Sequence, residues 1–189
     1  KIVQSILDDV RKNGDSAVKK YEQKFNGKKT IQLRVSKQDS KNAKITDTEF
    51  AALQLSAIKL SKTQRILNKT LLQSVKKIPN VSFVPISSVG CYIPGGQARY
   101  PSSAIMSVIT AAEAGVKRIV VVSPPDSNGK IDPMTITVSH NCGAEIYKVG
   151  GAQAIAALAY GTKSIPKVDK IVGPGGKFVS IAKAIVSEE

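Results

Sequence analysis

At 189 residues, with 42% hydrophobic and 22% charged side chains, the chain is long enough to bury a real core as one ordinary domain or two small ones. No apolar run approaches the roughly 18–20 residues of a membrane span, and the opening Lys-Ile-Val-Gln-Ser-Ile lacks the long apolar core of a secretory signal. Two distant cysteines (Cys91 and Cys142) and a single histidine (His140) argue against a disulfide framework, a structural zinc site or a histidine-rich metal site within the chain.

The formal net charge of +14 is uneven, because residues 1–90 carry 18 Lys and Arg against 7 Asp and Glu. A basic surface of this kind can hold nucleic acid through phosphate contacts. Aromatics are only 5% and Trp is absent, however, so the lysines lack a stacking platform and read first as a solvated surface.

In chain order, Ile2, Val3, Ile6, Leu7 and Val10 recur at helical spacing and Asn13-Gly14 supplies a stop. A second helix, capped by Asp15 or Ser16, carries Ala17, Val18, Tyr21 and Phe25 and ends at Asn26-Gly27. Thr30–Val35 alternates as a short strand. Ser36 begins a polar helix, and Thr46-Asp47-Thr48-Glu49 is a capping box opening a long helix with a Phe50, Leu53, Ala57, Leu60, Leu67, Leu71 stripe. Residues 1–88 thus read as a mostly helical region without a catalytic constellation.

From Val89 the pattern becomes strand–helix repeats. Val89–Ile93 is a strand ending in Pro94-Gly95-Gly96, and Pro101 opens a helix to Ala114 with Ser102 and Ser103 as its caps. The β-branched run Ile119–Val122 suits a strand buried on both faces. A helix from Asp132-Pro133 follows, then strand Glu145–Val149, then Gly150-Gly151 and an alanine-rich helix through Gly161. Strand Asp169–Val172 leads into Gly173-Pro174-Gly175-Gly176 and a closing helix from Lys177. Four such units predict a parallel α/β sheet with helices on both faces, a Rossmann-like unit over residues 89–189.

Three of the four strands end in glycine-rich turns, and ligands of open α/β sheets sit outside the carboxyl ends of the strands, so these turns are expected to line one crevice. Backbone N–H groups at a helix N-terminus favour an anion there. Neither a G-x-G-x-x-G nor a P-loop pattern is present, so spacing leaves the choice open between a nucleotide site and plain tight turns. Tyr92, at the end of the first strand, and Gln153, in the first turn after Gly150-Gly151, are the polar side chains placed to meet a ligand. His140 has no acidic neighbour in sequence and reads as a surface residue. No paired carboxylates or nucleophile arrangement is visible.

Two segments resemble the histidinol dehydrogenase family: Val89-Gly90-Cys91-Tyr92-Ile93-Pro94-Gly95-Gly96 with Tyr100-Pro101-Ser102-Ser103, and Val149-Gly150-Gly151-Ala152-Gln153-Ala154-Ile155-Ala156-Ala157-Leu158-Ala159. Pro166–Gly175 and Asp9–Ala17 continue the likeness, which therefore runs over essentially the whole chain. The resemblance implies a cytoplasmic, homodimeric α/β enzyme using NAD and zinc, which oxidises L-histidinol to L-histidine through an aldehyde in histidine biosynthesis. It puts an NAD-contacting tyrosine on Tyr92 and an NAD-contacting glutamine on Gln153. The family's NAD-contacting asparagine falls on Gly176, a departure that removes one amide. The family's zinc ligands, substrate-binding residues and Glu-His proton-transfer pair lie beyond Glu189, so no catalytic or metal residue is expected in this chain. The start at Lys1 and the end on a helix lead to the expectation of an N-terminal part of a longer enzyme, inactive alone. The alternative is a non-catalytic or degenerate module whose basic N-terminal half binds nucleic acid.

Overall fold

The computed structural model describes residues 1–27, 32–96 and 98–188. Helices α1 (Ile2–Asn13) and α2 (Asp15–Asn26) meet at Gly14 and each buries one stripe: Val3, Ile6, Leu7 and Val10 from the first, Ala17, Val18, Tyr21 and Glu22 from the second. The expected stripe of α2 included Phe25, which is 54% exposed, whereas Glu22 has no exposed surface. Glu22 follows Val18 by four residues and so stands on the same side of the helix. Neither Asp15 nor Ser16 caps α2. Gly14 holds that position, and Asp15 accepts from the backbone N–H of Ser164 instead.

Both α3 (Lys37–Asn42) and α4 (Asp47–Val75) open with capping boxes, at Ser36/Asp39 and Thr46/Glu49. In the second, the Glu49 N–H donates to Thr46 Oγ1 at 3.2 Å and the Thr46 N–H donates to Glu49 Oε2 at 2.9 Å. Of the α4 stripe, Leu53 is buried while Leu67 and Leu71 stay exposed. The strand expected over Thr30–Val35 lies partly outside the described residues, and its described end forms an antiparallel bridge, Arg34 to Tyr147, along the sheet edge.

The sheet contains β1 (Ser88–Tyr92), β2 (Arg118–Ser123), β3 (Glu145–Lys148) and β4 (Lys170–Val172), all parallel, in the order β3-β2-β1-β4. The chain steps outward from β1 to β3 and then returns to the far side of β1, so the direction of winding reverses between β1 and β4. The connecting helices change face with that reversal. On one face α5 (Pro101–Ala104), a π turn (Ile105–Ile109), α6 (Thr110–Glu113) and α7 (Pro133–Asn141) pack on Val89, Cys91, Ile119, Val121 and Ile146. On the other, α8 (Gly151–Tyr160) and α9 (Lys177–Ser187) pack with α1 and α2 on Tyr92, Val120, Val122 and Tyr147. The expected α/β class, a helical N-terminal region followed by a Rossmann-like parallel sheet with helices on both faces, is borne out.

Ser102 and Ser103 are not caps. Tyr100 takes that position and Pro101 the first helical one, where its missing N–H costs nothing. At the opposite end of the sheet Asp169 ties β4 to β1. Its Oδ2 accepts from the Ser88 N–H at 2.7 Å and the Ser88 hydroxyl at 2.9 Å.

Candidate functional site

The parallel sheet sends the carboxyl ends of all four strands to one edge. A side chain on Gly95 would meet Ser123 and Pro124, and one on Gly150 would meet Pro124, so the turns after β1, β2 and β3 pack on one another. The turn after β4 closes on β1: Gly173 lies against the Tyr92 carbonyl, and Lys183 Nζ donates to the Gly173 carbonyl. β1 and β4 flank the reversal of strand order, the place where open α/β sheets take their ligands.

Alternation along β1 turns Tyr92 toward the α8 face, away from Cys91 and Ile93. Its phenolic oxygen accepts a hydrogen bond from the Gly151 N–H at 3.2 Å. The preceding N–H, of Gly150, donates to Glu22 Oε1 at 2.8 Å, and the Gln153 amide Nε2 donates to the same oxygen at 2.8 Å. Asn26 Nδ2 donates to Glu22 Oε2 at 2.5 Å. Tyr92, Gln153 and Glu22 thus form one connected cluster at the head of α8, with exposures of 5%, 2% and 0%.

One consequence differs from the sequence expectation. The Gly150 and Gly151 N–H groups do not face an open ligand space, because a carboxylate and a phenol of the protein itself already accept from them. A groove of about 1010 Å³ runs beside the sheet between the end of α4, residues 83–86 and the π turn, and among the described residues of the glycine turns Gly173 and Pro174 line it.

One atom of the cluster stands apart. Gln153 Oε1 is buried and has no hydrogen-bond partner among the described residues. A buried acceptor left unpaired costs about 1–3 kcal/mol, which is a reason to look for a missing donor. Gly151 makes room for that amide. Its φ is +61°, and a Cβ there would lie 2.7 Å from Gln153 Oε1.

Burial, opposed by the Gly151 N–H and reinforced by the Glu22 charge, pushes the Tyr92 phenol above its ordinary range, so it remains protonated near neutral pH. Burial also pushes the Glu22 carboxyl up, against the three N–H groups that favour its charged form. Glu22 escapes notice in sequence because it lies 128 residues from Gly150. The available signal is an acidic residue on the apolar side of α2.

Gly176 is the N-cap of α9, in extended backbone with φ −70° and no side-chain cap. A Cβ there would meet nothing within 4 Å. Gly176→Asn is therefore expected to fit without strain and, by capping α9, to raise stability by a few tenths of a kcal/mol, read as an upward shift in Tm of about 1 °C. A fall in Tm would show that the turn is not open as described.

Neither thiol is placed as a nucleophile. Cys91 is in the core with its thiol pushed up to about 12 by burial, and burial raises Cys142 as well. His140 is exposed at the end of α7. Among the described residues no group of three or more His, Cys, Asp or Glu is arranged to hold a metal ion.

The family model for histidinol dehydrogenase matches residues 1–189. Histidinol dehydrogenase of Dehalococcoides mccartyi (strain CBDB1) is 44% identical over 190 residues, covering 98% of this chain and 44% of that protein. The Bacillus cereus (strain ATCC 10987 / NRS 248) histidinol dehydrogenase is 45% identical, over 96% of this chain and 43% of its own. A histidine biosynthesis trifunctional protein of Neurospora crassa is 42% identical over 100% of this chain and 22% of its own length. Among solved structures, the crystal structure of histidinol dehydrogenase from Elizabethkingia anophelis superposes with a TM-score of 0.86 at 32% identity, over 99% of this chain and 45% of that one. The chain thus spans less than half the length of the histidinol dehydrogenases it matches.

Proposed function

Since the chain belongs to the histidinol dehydrogenase family, we propose that it forms the cofactor-holding part of an NAD- and zinc-dependent enzyme that oxidises L-histidinol to L-histidine through the aldehyde. Residues 89–189 act as the NAD-binding unit and residues 1–88 as a helical region packed against it. The observation that carries this reading is the orphaned Gln153 Oε1 beside Tyr92 at the head of α8, next to the reversal of strand order. An unpaired buried acceptor in that position fits a cofactor that brings a donor.

When bound, NAD supplies the acceptor for the hydride removed in each oxidation. Toward it, Gln153 offers a carbonyl oxygen, and Tyr92 offers a protonated phenol whose position is fixed by the Gly151 N–H. The close-packed turns at the carboxyl edge keep these groups out of water, which strengthens their hydrogen bonds. Gly176 stands where the family carries asparagine, and the space open around it would admit that amide.

The described residues offer no group of ligands that fits zinc. In this proposal the zinc ligands, the proton-transfer groups and the histidinol-binding residues belong to the part of the relatives outside the matched region, and the whole works as a cytoplasmic homodimer. No described helix is long and apolar enough to cross a membrane.

Calorimetric titration tests the cofactor step. Saturable NAD binding is expected, weakened about 2- to 10-fold by Gln153→Ala, the worth of one hydrogen bond. Binding of RNA or DNA that falls with salt, without NAD binding, would support the nucleic-acid alternative. The 189-residue chain supplied with histidinol, NAD and zinc is expected to produce no NADH, and clear turnover would overturn the division of labour proposed here.

A further inference from the structure

The carboxylate that organises the α8 head comes from α2, in the helical N-terminal region rather than from the sheet unit. Glu22 accepts at one oxygen from both the Gly150 N–H and Gln153 Nε2, each at 2.8 Å, and at the other from Asn26. A carboxylate accepts and cannot donate, so the Gln153 amide must turn its NH₂ toward Glu22 and its carbonyl oxygen away. That oxygen is the unpartnered atom.

We infer that Glu22 is a positioning residue for the cofactor: it takes the place of an external anion at the amino end of α8 and turns Gln153 so that Oε1 is the atom the cofactor meets. The inference rests on the NAD reading above and deepens it. An oxygen with no proton to give selects a hydrogen-bond donor, so the group that reaches Gln153 is a ribose hydroxyl or an amide or amino N–H of NAD. The pyrophosphate, which only accepts, is excluded from this atom. It is excluded as well from the Gly150 N–H, where Glu22 already sits and would repel a second anion.

The test is a double-mutant cycle on NAD affinity in the full protein, by calorimetry, with Glu22→Ala, Gln153→Ala and the pair. Glu22→Ala is expected to weaken NAD about 3- to 10-fold in the wild-type background and less than 2-fold once Gln153 is alanine. Glu22→Gln retains an oxygen for Gly150 and Gln153 while Asn26 reverses its amide, so its NAD affinity should stay within about 2-fold of wild type. The Gln153 side-chain NH₂ signal in NMR spectra, assigned by its loss in Gln153→Ala, should persist in Glu22→Gln and shift in Glu22→Ala.

Equal losses from Glu22→Ala in both backgrounds, or a Glu22→Gln variant that binds as poorly as Glu22→Ala, overturn the positioning role and leave the cofactor reading intact. No saturable binding by the wild type overturns that reading and this one together. Should Glu22→Ala not fold, Glu22→Asp, whose carboxylate is retracted by one methylene, takes its place in the cycle with the same expected loss.

Discussion

Replacing Gly173 with alanine is expected to destabilise the protein by roughly 2–5 kcal/mol and to lower Tm by about 5–15 °C. Two costs add. The residue has φ +103°, where an L side chain is strained by about 1–2 kcal/mol. A Cβ would also press on the Tyr92 carbonyl oxygen and lie 3.0 Å from its carbon, and forcing atoms into such a space costs about 1–3 kcal/mol more. The strain has little room to relax, because the obstacle is backbone of the central strand, paired with β2 on one side and β4 on the other. Movement of that strand carries the Tyr92 phenol away from the Gly151 N–H, so weakened NAD binding should accompany the lost stability. Thermal unfolding of Gly173→Ala within about 1 °C of wild type would show that the turn does not grip β1.

Glu22→Ala is the second large effect, and its contrast with Glu22→Gln separates hydrogen bonding from charge. Alanine leaves the Gly150 N–H and the Gln153 NH₂ without an acceptor in the core. At about 1–3 kcal/mol for each unpaired group, the loss is roughly 2–6 kcal/mol. Glutamine keeps an acceptor and removes the charge. Burial is the largest influence on the Glu22 carboxyl and raises it above the usual glutamate value, so folding takes up a proton across the window between the two values. The favourable contribution of that proton is fully present below the unfolded value of about 4.3 and is lost as pH rises through the folded one. Glu22→Gln should therefore be more stable than wild type near neutral pH, with the advantage shrinking on acidification toward pH 4. Denaturant unfolding of both proteins from pH 4 to pH 8 reads this directly. A difference that does not change with pH would mean that the carboxyl is not shifted.

The elements with local signals were legible in the sequence. The Thr46–Glu49 capping box, the β-branched run of β2 and the glycine turns each fix their own element through a few neighbouring residues, and the succession of four units predicts a parallel sheet. What depends on distant partners was not. Phe25 and Glu22 are both compatible with an amphipathic α2, and the choice between them is made by α8, more than a hundred residues away. Separation also hides the fact that the Gly150 and Gly151 N–H groups are already occupied, by acceptors 128 and 59 residues away. Ser102 and Ser103 have the right chemistry for caps, but they follow Pro101, the first helical residue, and so lie inside the helix, with Tyr100 at the cap position. Nothing local marks the π turn at Ile105–Ile109. Tyr92 and Gln153 were identified by position and resemblance, and the structure joins them through the Gly150-Gly151 backbone and Glu22.

The winding order β3-β2-β1-β4 also dictates a schedule. β2 and β3 can add to β1 after crossovers of moderate length, whereas the Ser88–Asp169 tie brackets a separation of 81 residues. Such closures pay their entropy before any contact rewards them, which places them late and makes chains rich in them slow to fold. The Glu22–Gly150 and Glu22–Gln153 bonds span still more, 128 and 131 residues. On a ribosome, α2 emerges early and waits with a carboxylate on its apolar side until α8 has been synthesised. The arrival of α8 gives that carboxylate its donors and orders the Gln153 amide in the same event, so these longest-range contacts and the cluster at the head of α8 form together.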